Sequence, residues 1–324
     1  MNLALLGFLM VATFMTLIMT KRMTPLVALI VIPSLFGVIA GQAAGLGDMM
    51  IDGIKNLAPT GVMLLFAILF FSTMTDTGLF DPLVARLVKI VHGDPLLILL
   101  GTVVLCAIVS LDGDGSTTYI ITIAALLPLY KRFDMNRLYL VCLLMVTSGI
   151  MNLTPWGGPT ARAASALKLD PATLFLPLIP GMIAGLAFLL GLAFWFGIKE
   201  RRRLGKVQAR QSVAPSDLGV SQYPEARRPH LRWFNGLLVV ALLVLLVWGV
   251  LPLSVLMMIA FAIAMIVNYP GVAQQKERIA AHAGNVLSVV SLIFAAGIFT
   301  GILGGTGMVE AMSKEVVGVI PPAL

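Results

Sequence analysis

Two aspartates separated by one glycine, Asp112 and Asp114, stand in the middle of a long apolar stretch, in the run LDGDGSTTY. Carboxylates in such surroundings are costly unless a cation, a proton or a hydrogen-bond donor compensates them. Gly113 and Gly115 permit tight turns and close backbone approach to a ligand, and Ser116, Thr117 and Thr118 add hydroxyls beside the acids. Hard oxygen donors of this kind suit Mg²⁺ or Ca²⁺ better than a soft metal. Burial also makes a carboxylate hold its proton more tightly, so either acid also fits the role of proton carrier. A second polar island follows in MVTSGIMNLTPWGGPTARAA, residues 145–164. Pro155, Gly157, Gly158 and Pro159 interrupt an apolar helix that begins at Leu138, and no continuous helix tolerates that set. The freed N–H groups and the N-terminus of the second half can hold an anion. Asn152, Thr154 and Thr160 add polar groups there, and Arg162 is placed to pair with a carboxylate.

The first island is flanked by an apolar arm at 95–111 and a second at 119–130. The second arm has 12 residues, about 18 Å of helix against a hydrocarbon core of about 30 Å. A re-entrant hairpin that enters from the cytoplasm, turns near the midplane and returns is therefore expected over 94–132, followed by a broken helix over 138–170. The competing geometry is a pair of ordinary spans with DGDGST in an outer loop, and for the second island an outer loop with Arg162 in water.

The surrounding chain requires a membrane. Of its 324 residues, 59% are apolar and 11% charged, against about 25% charged in a soluble domain; its mean hydropathy is +1.00. The segment Lys199–Arg232 holds nine basic and three acidic residues, a net +6 of the chain's +7. One basic loop thus accounts for the charge, and the positive-inside rule puts that loop in the cytoplasm. Tyr223 and Trp233 alone do not make a nucleic-acid docking face. Cys106 and Cys142 lie in apolar stretches and predict no disulfide. The N-terminal apolar run has Lys21 and Arg22 behind it rather than ahead, as in a first span and not a cleaved signal. His92, His230 and His282 fall in amphipathic or loop segments, which argues against a histidine relay or zinc site, and Asp76 at the end of a span reads as structural.

Spans are expected at 2–20, 24–44, 57–75, 171–198, 234–250, 252–268 and 286–303. The stretch Gly45–Asn56 then lies outside, and 79–92 is a surface helix inside. TGLFDPLV at 77–84 reads like TGMVEAMS at 306–313, an offset of 229 (Thr77 against Thr306). Charge places the two copies in opposite orientations, the inverted-repeat plan of many secondary transporters. The fold class expected is thus an all-α polytopic membrane protein of inverted-repeat type. Residues 1–198 form the first repeat, with scaffold helices at 1–92 and a span at 171–198; 199–232 is the basic loop, and 233–324 opens the second repeat. That repeat stops at Leu324, before any second hairpin, so the chain reads as a truncated product lacking roughly 100 residues.

The tip LDGDGSTTYIITIAALLPLYKR, followed by MNLTPWGGPTARAA, closely resembles the CitMHS citrate–metal:proton symporters of the ion transporter superfamily. The resemblance implies a multi-pass carrier of the bacterial inner membrane, not an enzyme. It implies uptake of citrate complexed with a divalent metal (Mg or Ca), driven by protons, with no permanently bound cofactor. It also implies inward-pointing hairpins, a homodimeric scaffold and elevator motion. The first half-site would fall on Asp112–Thr118 and Asn152–Thr160, the aspartates meeting the metal of the cargo. Two rivals stand beside this reading: a carrier of the same superfamily taking a dicarboxylate, gluconate-like anion or arsenite, and an intramembrane aspartyl protease. A protease needs two aspartates on facing helices, whereas Asp112 and Asp114 share one turn.

Overall fold

The computed structural model describes residues 2–82, 86, 94–112, 115–167, 169–204 and 224–319. The chain is helical, as an apolar chain in lipid must be, because every backbone N–H and C=O has to be satisfied without water. The helices are α1 (Leu3–Met19), α2 (Pro25–Ile39), α3 (Leu46–Asp76), α4 (Pro95–Val109), α5 (Gly115–Arg132), α6 (Arg137–Met151) and α7 (Gly158–Leu167). They continue as α8 (Pro171–Phe175), α9 (Ile179–Leu204), α10 (Arg232–Trp248), α11 (Leu253–Asn268), α12 (Val272–Gly305) and α13 (Met308–Val319). Starts are marked by side-chain caps: Thr24 accepts from Val27 N ahead of Pro25, Asp94 from Leu96 N ahead of Pro95, and Asn136 from Leu138 N. Among the described residues, four stretches are long and apolar enough to cross a membrane: Ala43–Asp76, Pro171–Leu204, Pro229–Leu246 and Val272–Gly305. The surface helix expected at 79–92 falls largely outside the described residues, and Cys106 and Cys142 are free thiols.

The element boundaries repeat at the offset seen in the sequence. Moving α1 by 229 residues lands on 232–248, the span of α10, and moving the end of α3 lands on Gly305, the end of α12. Both long helices stop at the same device, a glycine in the left-handed region: Gly78 at φ +75° and Gly307 at φ +76°.

Two expected boundaries need correction. The helix expected to start near 57 starts earlier, because α3 begins at Leu46 and runs 31 residues, about 46 Å. Its polar residues lie on an exposed side, where Asp52 and Lys55 pair at 3.5 Å, while Leu57 is buried. Polar residues on one face are compatible with a helix that projects beyond the hydrocarbon. Likewise α12 begins at Val272 rather than near 286.

One compact unit contains residues up to Leu65, a short piece at 165–168, and the chain from Gly284. In it α3 and α12 run antiparallel: Gly53 lies against Gly297 and Gly301, Gly61 against Phe294, and Met49 against Gly305. Gly297, Gly301 and Gly305 recur every fourth residue, the small-residue spacing that lets helix backbones touch in lipid. A Cβ on Gly53 would run into the carbonyl oxygen of Gly297. Gly53→Ala is therefore expected to cost about 1–3 kcal/mol, read as a lower unfolding midpoint in detergent. Gly47→Ala, which meets nothing within 4 Å, should leave the midpoint unchanged.

The other unit spans Phe66–Ala164 and Leu169–Ala283. Its core is built from α4, α5, α6 and α9, with Ile98, Leu99, Leu105, Tyr130, Leu143 and Leu189 almost fully buried. Gly197 on α9 admits the backbone of Leu96, and a Cβ there would lie 2.8 Å from the Leu96 Cα. The candidate site lies within this unit.

Candidate functional site

Helices α4 and α5 pack together in one core, and a 3₁₀ turn at Ser110–Asp112 follows α4. Both feet are held by the end of α9. Arg201 pairs with Asp94, the cap of α4, its Nε donating to Oδ1 at 3.2 Å. The buried Glu200 accepts from Asn136 N at 3.3 Å and from Arg203 Nε at 2.9 Å, and Arg203 also donates to the Asp134 carbonyl. The two arms thus start and finish beside the same helix end. The second arm is longer than its apolar residues alone suggested. It starts at Gly115 and has 18 residues, about 27 Å, because the hydroxyl residues 116–118 continue the helix. The first arm has 15 residues, about 22 Å.

The second island forms the expected break. α6 ends at Met151, and six residues of turn lead to α7 at Gly158. Gly157 makes the break tight: its N–H donates to the Thr154 carbonyl at 2.8 Å, and a Cβ would collide with the carbonyl oxygen of Asn152. Pro155 and Trp156 are buried, Asn152 half-buried, and Arg162 lies on α7. Among the described residues, a hydrogen bond from Trp156 Nε1 to the Leu111 carbonyl at 2.9 Å joins the two islands. Two helix N-termini, at Gly115 and Gly158, therefore open from backbone joined by that bond. Each carries the positive end of a helix dipole.

Four threonine hydroxyls in and beside the islands stand apart from other buried threonines of the described residues. Threonine in an apolar helix normally donates to the carbonyl four residues back. Thr73, Thr75, Thr102, Thr147 and Thr306 all do so here, at 2.6–3.0 Å. Thr118 and Thr122 on α5, Thr154 in the break and Thr160 on α7 do not. All four are at most 3% exposed, and their Oγ1 atoms have no hydrogen-bond partner among the described residues. An unmade hydrogen bond on a buried hydroxyl costs about 1–3 kcal/mol, so these four, on α5, in the break and on α7, are candidates for contact with a polar ligand. Thr122 escaped the sequence reading, although it lies one helical turn from Thr118 on the same face.

Of the other expected site residues, Gly113 and Asp114 lie outside the described residues; Asp112 closes the 3₁₀ turn, and Gly115, Ser116 and Thr117 open α5. Among the described residues no cluster of three or more His, Cys, Asp or Glu is arranged to hold a metal. A cavity of about 430 Å³, lined by Asp134, Asn136, Tyr139, Lys199, Glu200 and Arg203, lies at the feet of the hairpin, away from the hydroxyl-lined breaks.

Comparison with known proteins decides the family. Residues 14–324 match the citrate transporter family CitMHS. The chain belongs to that family. It is accordingly a polytopic membrane carrier and not an enzyme. A CitMHS relative from Bacillus subtilis (strain 168), the citrate transporter, is 56% identical over 99% of this chain and 75% of its own length. A second from the same organism, the Mg(2+)/citrate complex secondary transporter, is 51% identical over 98% of this chain and 74% of its own. An uncharacterized transporter from that organism is 46% identical over 99% and 75%. No solved structure matches this CitMHS chain.

The sequence reading also missed a cluster at the end of α3. Asp76 is 3% exposed, and its Oδ2 lies 2.7 Å from His282 Nε2 and 3.5 Å from Arg278 Nη1. His282 was expected in a loop or amphipathic segment, but it lies inside α12 because that helix begins ten residues earlier, at Val272. The available signal was the four-residue spacing of Arg278 and His282, which puts both on one face.

Proposed function

We propose that the protein carries citrate as a complex with Mg²⁺ or Ca²⁺, coupled to protons. Fully ionised citrate has three negative charges, and one divalent ion leaves a single net charge, which is far cheaper to dehydrate. The four unsatisfied threonine hydroxyls carry the reading. Neutral donors beside two helix N-termini suit a cargo of low net charge with many carboxylate oxygens. A free trianion would call for a cluster of cations. The Mg(2+)/citrate relative at 51% identity supports the same cargo. In this reading Asp112 and Asp114 approach the metal of the cargo. The break at Thr154–Thr160 holds carboxylates through hydroxyls and backbone N–H groups, and Arg162 pairs with a carboxylate.

The protein reconstituted in proteoliposomes tests this. Labelled citrate uptake should require added Mg²⁺ or Ca²⁺ and stop when a chelator removes it. Asp112→Asn and Asp114→Asn should each lower the metal-dependent rate by about tenfold or more, the loss of one charged interaction of about 1.5–3 kcal/mol. Unchanged uptake in both variants would remove the acids from the mechanism. Suppression of citrate uptake by excess dicarboxylate, gluconate or arsenite would shift the cargo assignment to that anion.

A further inference from the structure

The Asp76 cluster is a buried assembly of titratable side chains in the second unit, among the described residues, that the cargo site does not use. Arg278 and His282 approach the same carboxylate oxygen from one face of α12. Arg278 is 4% exposed and also pairs with Glu277, which faces solvent. Around them stand Tyr269, whose hydroxyl donates to the Ala226 carbonyl at 2.8 Å, and Arg228, whose guanidinium lies 4.8 Å from the Tyr269 ring centroid. Arg228 is held there by the carbonyls of Asn268, Glu225 and Arg227. Asp81, beyond the Gly78 turn, pairs with Arg227.

A bridge that only fastened α3 to α12 would need Asp76 and Arg278 alone. The imidazole adds a second proton-bearing atom, so that either Asp76 Oδ2 or His282 Nε2 can hold a shared proton across 2.7 Å. The cluster also connects to the cargo site. Phe71, five residues before Asp76 on α3, packs on Trp156 with ring centroids 5.0 Å apart, and Trp156 holds the hairpin tip through Leu111. Symport requires proton and cargo to be bound together. A tip carboxylate facing the metal cannot hold a proton at the same time, because the two compete for the same oxygens.

We propose that Asp76 and His282 form the site that carries the coupled proton, apart from the hairpin tip where the metal–citrate complex binds. This rests on the proton-coupled carrier reading. The test compares wild type, Asp76→Asn and His282→Gln in proteoliposomes with magnesium citrate. Two quantities are measured: citrate exchange at equal pH on both sides, and net accumulation under an imposed gradient, acid outside. One coupled proton supports about tenfold accumulation per pH unit. The wild type should show it, and both variants should lose it while exchange persists and the pH profile of uptake flattens. His282→Gln keeps an N–H for Asp76, so it serves even where Asp76→Asn fails to fold. Accumulation with the wild-type pH profile in the variants overturns the proposal. So does parallel loss of exchange and accumulation, which marks a structural bridge. A wild type that exchanges citrate but ignores the gradient removes the proton coupling itself, and one that exchanges none removes the cargo reading.

Discussion

Valine at Thr118, Thr122, Thr154 or Thr160, introduced singly, is expected to weaken citrate uptake by roughly 10- to 100-fold while making the citrate-free protein more stable. The two effects have one cause. Each hydroxyl is buried without a partner among the described residues, so replacing it with an isosteric methyl removes a desolvated polar group and should return about 1 kcal/mol or more of stability. The same hydroxyl, donating to a carboxylate of the cargo, is worth about 1.5–3 kcal/mol when that bond forms. Concentration dependence of uptake and the thermal midpoint in detergent together read both signs. Thr102→Val and Thr147→Val are the controls, since those hydroxyls are satisfied by the carbonyls of Ile98 and Leu143 and should leave uptake unchanged. An island variant whose citrate affinity stays at the wild-type value excludes that threonine from the site.

The second large effect is expected at Gly157. Its position has no room for a side chain: a Cβ would overlap the Asn152 carbonyl oxygen and lie 3.0 Å from that of Thr154. Both neighbours are backbone, so neither can rotate aside. Gly157→Ala must open the turn that sets the start of α7, with an overpacking cost of about 1–3 kcal/mol. It must also displace Trp156 from the Leu111 carbonyl and Thr154 and Thr160 from their places. Misplacing positioned groups by about an ångström costs on the order of 100-fold in rate, and a loss of that size in uptake is expected. Wild-type uptake by Gly157→Ala, at wild-type protein levels in the membrane, would show that the break does not position the cargo.

Polarity patterning alone revealed much of this protein. Helical character, residence in lipid and the break around Pro155 all follow from single-residue chemistry: apolar runs need lipid, and proline next to glycine ends a helix. The repeat was visible in eight residues, and helix boundaries and the paired glycine turns at 78 and 307 follow the same offset. Length was harder to read. Asp48, Asp52 and Lys55 look like a loop when residues are scored by polarity, yet they are one exposed face of a helix longer than the hydrocarbon core is thick.

What the chain's order cannot encode locally is which polar groups remain unpaired. Thr73 and Thr118 are the same residue type in apolar helices, yet Thr73 reaches the Leu69 carbonyl while Thr118 has no hydrogen-bond partner among the described residues. Asp76 and His282 are 206 residues apart in sequence; antiparallel packing of two long helices makes them neighbours. The residue types alone thus determined a lipid-embedded helical protein whose apolar runs are interrupted by two polar islands. Tertiary structure alone decided which hydroxyls lack a partner among the described residues and which acid meets a histidine, because hydrogen-bond satisfaction there depends on three-dimensional neighbours.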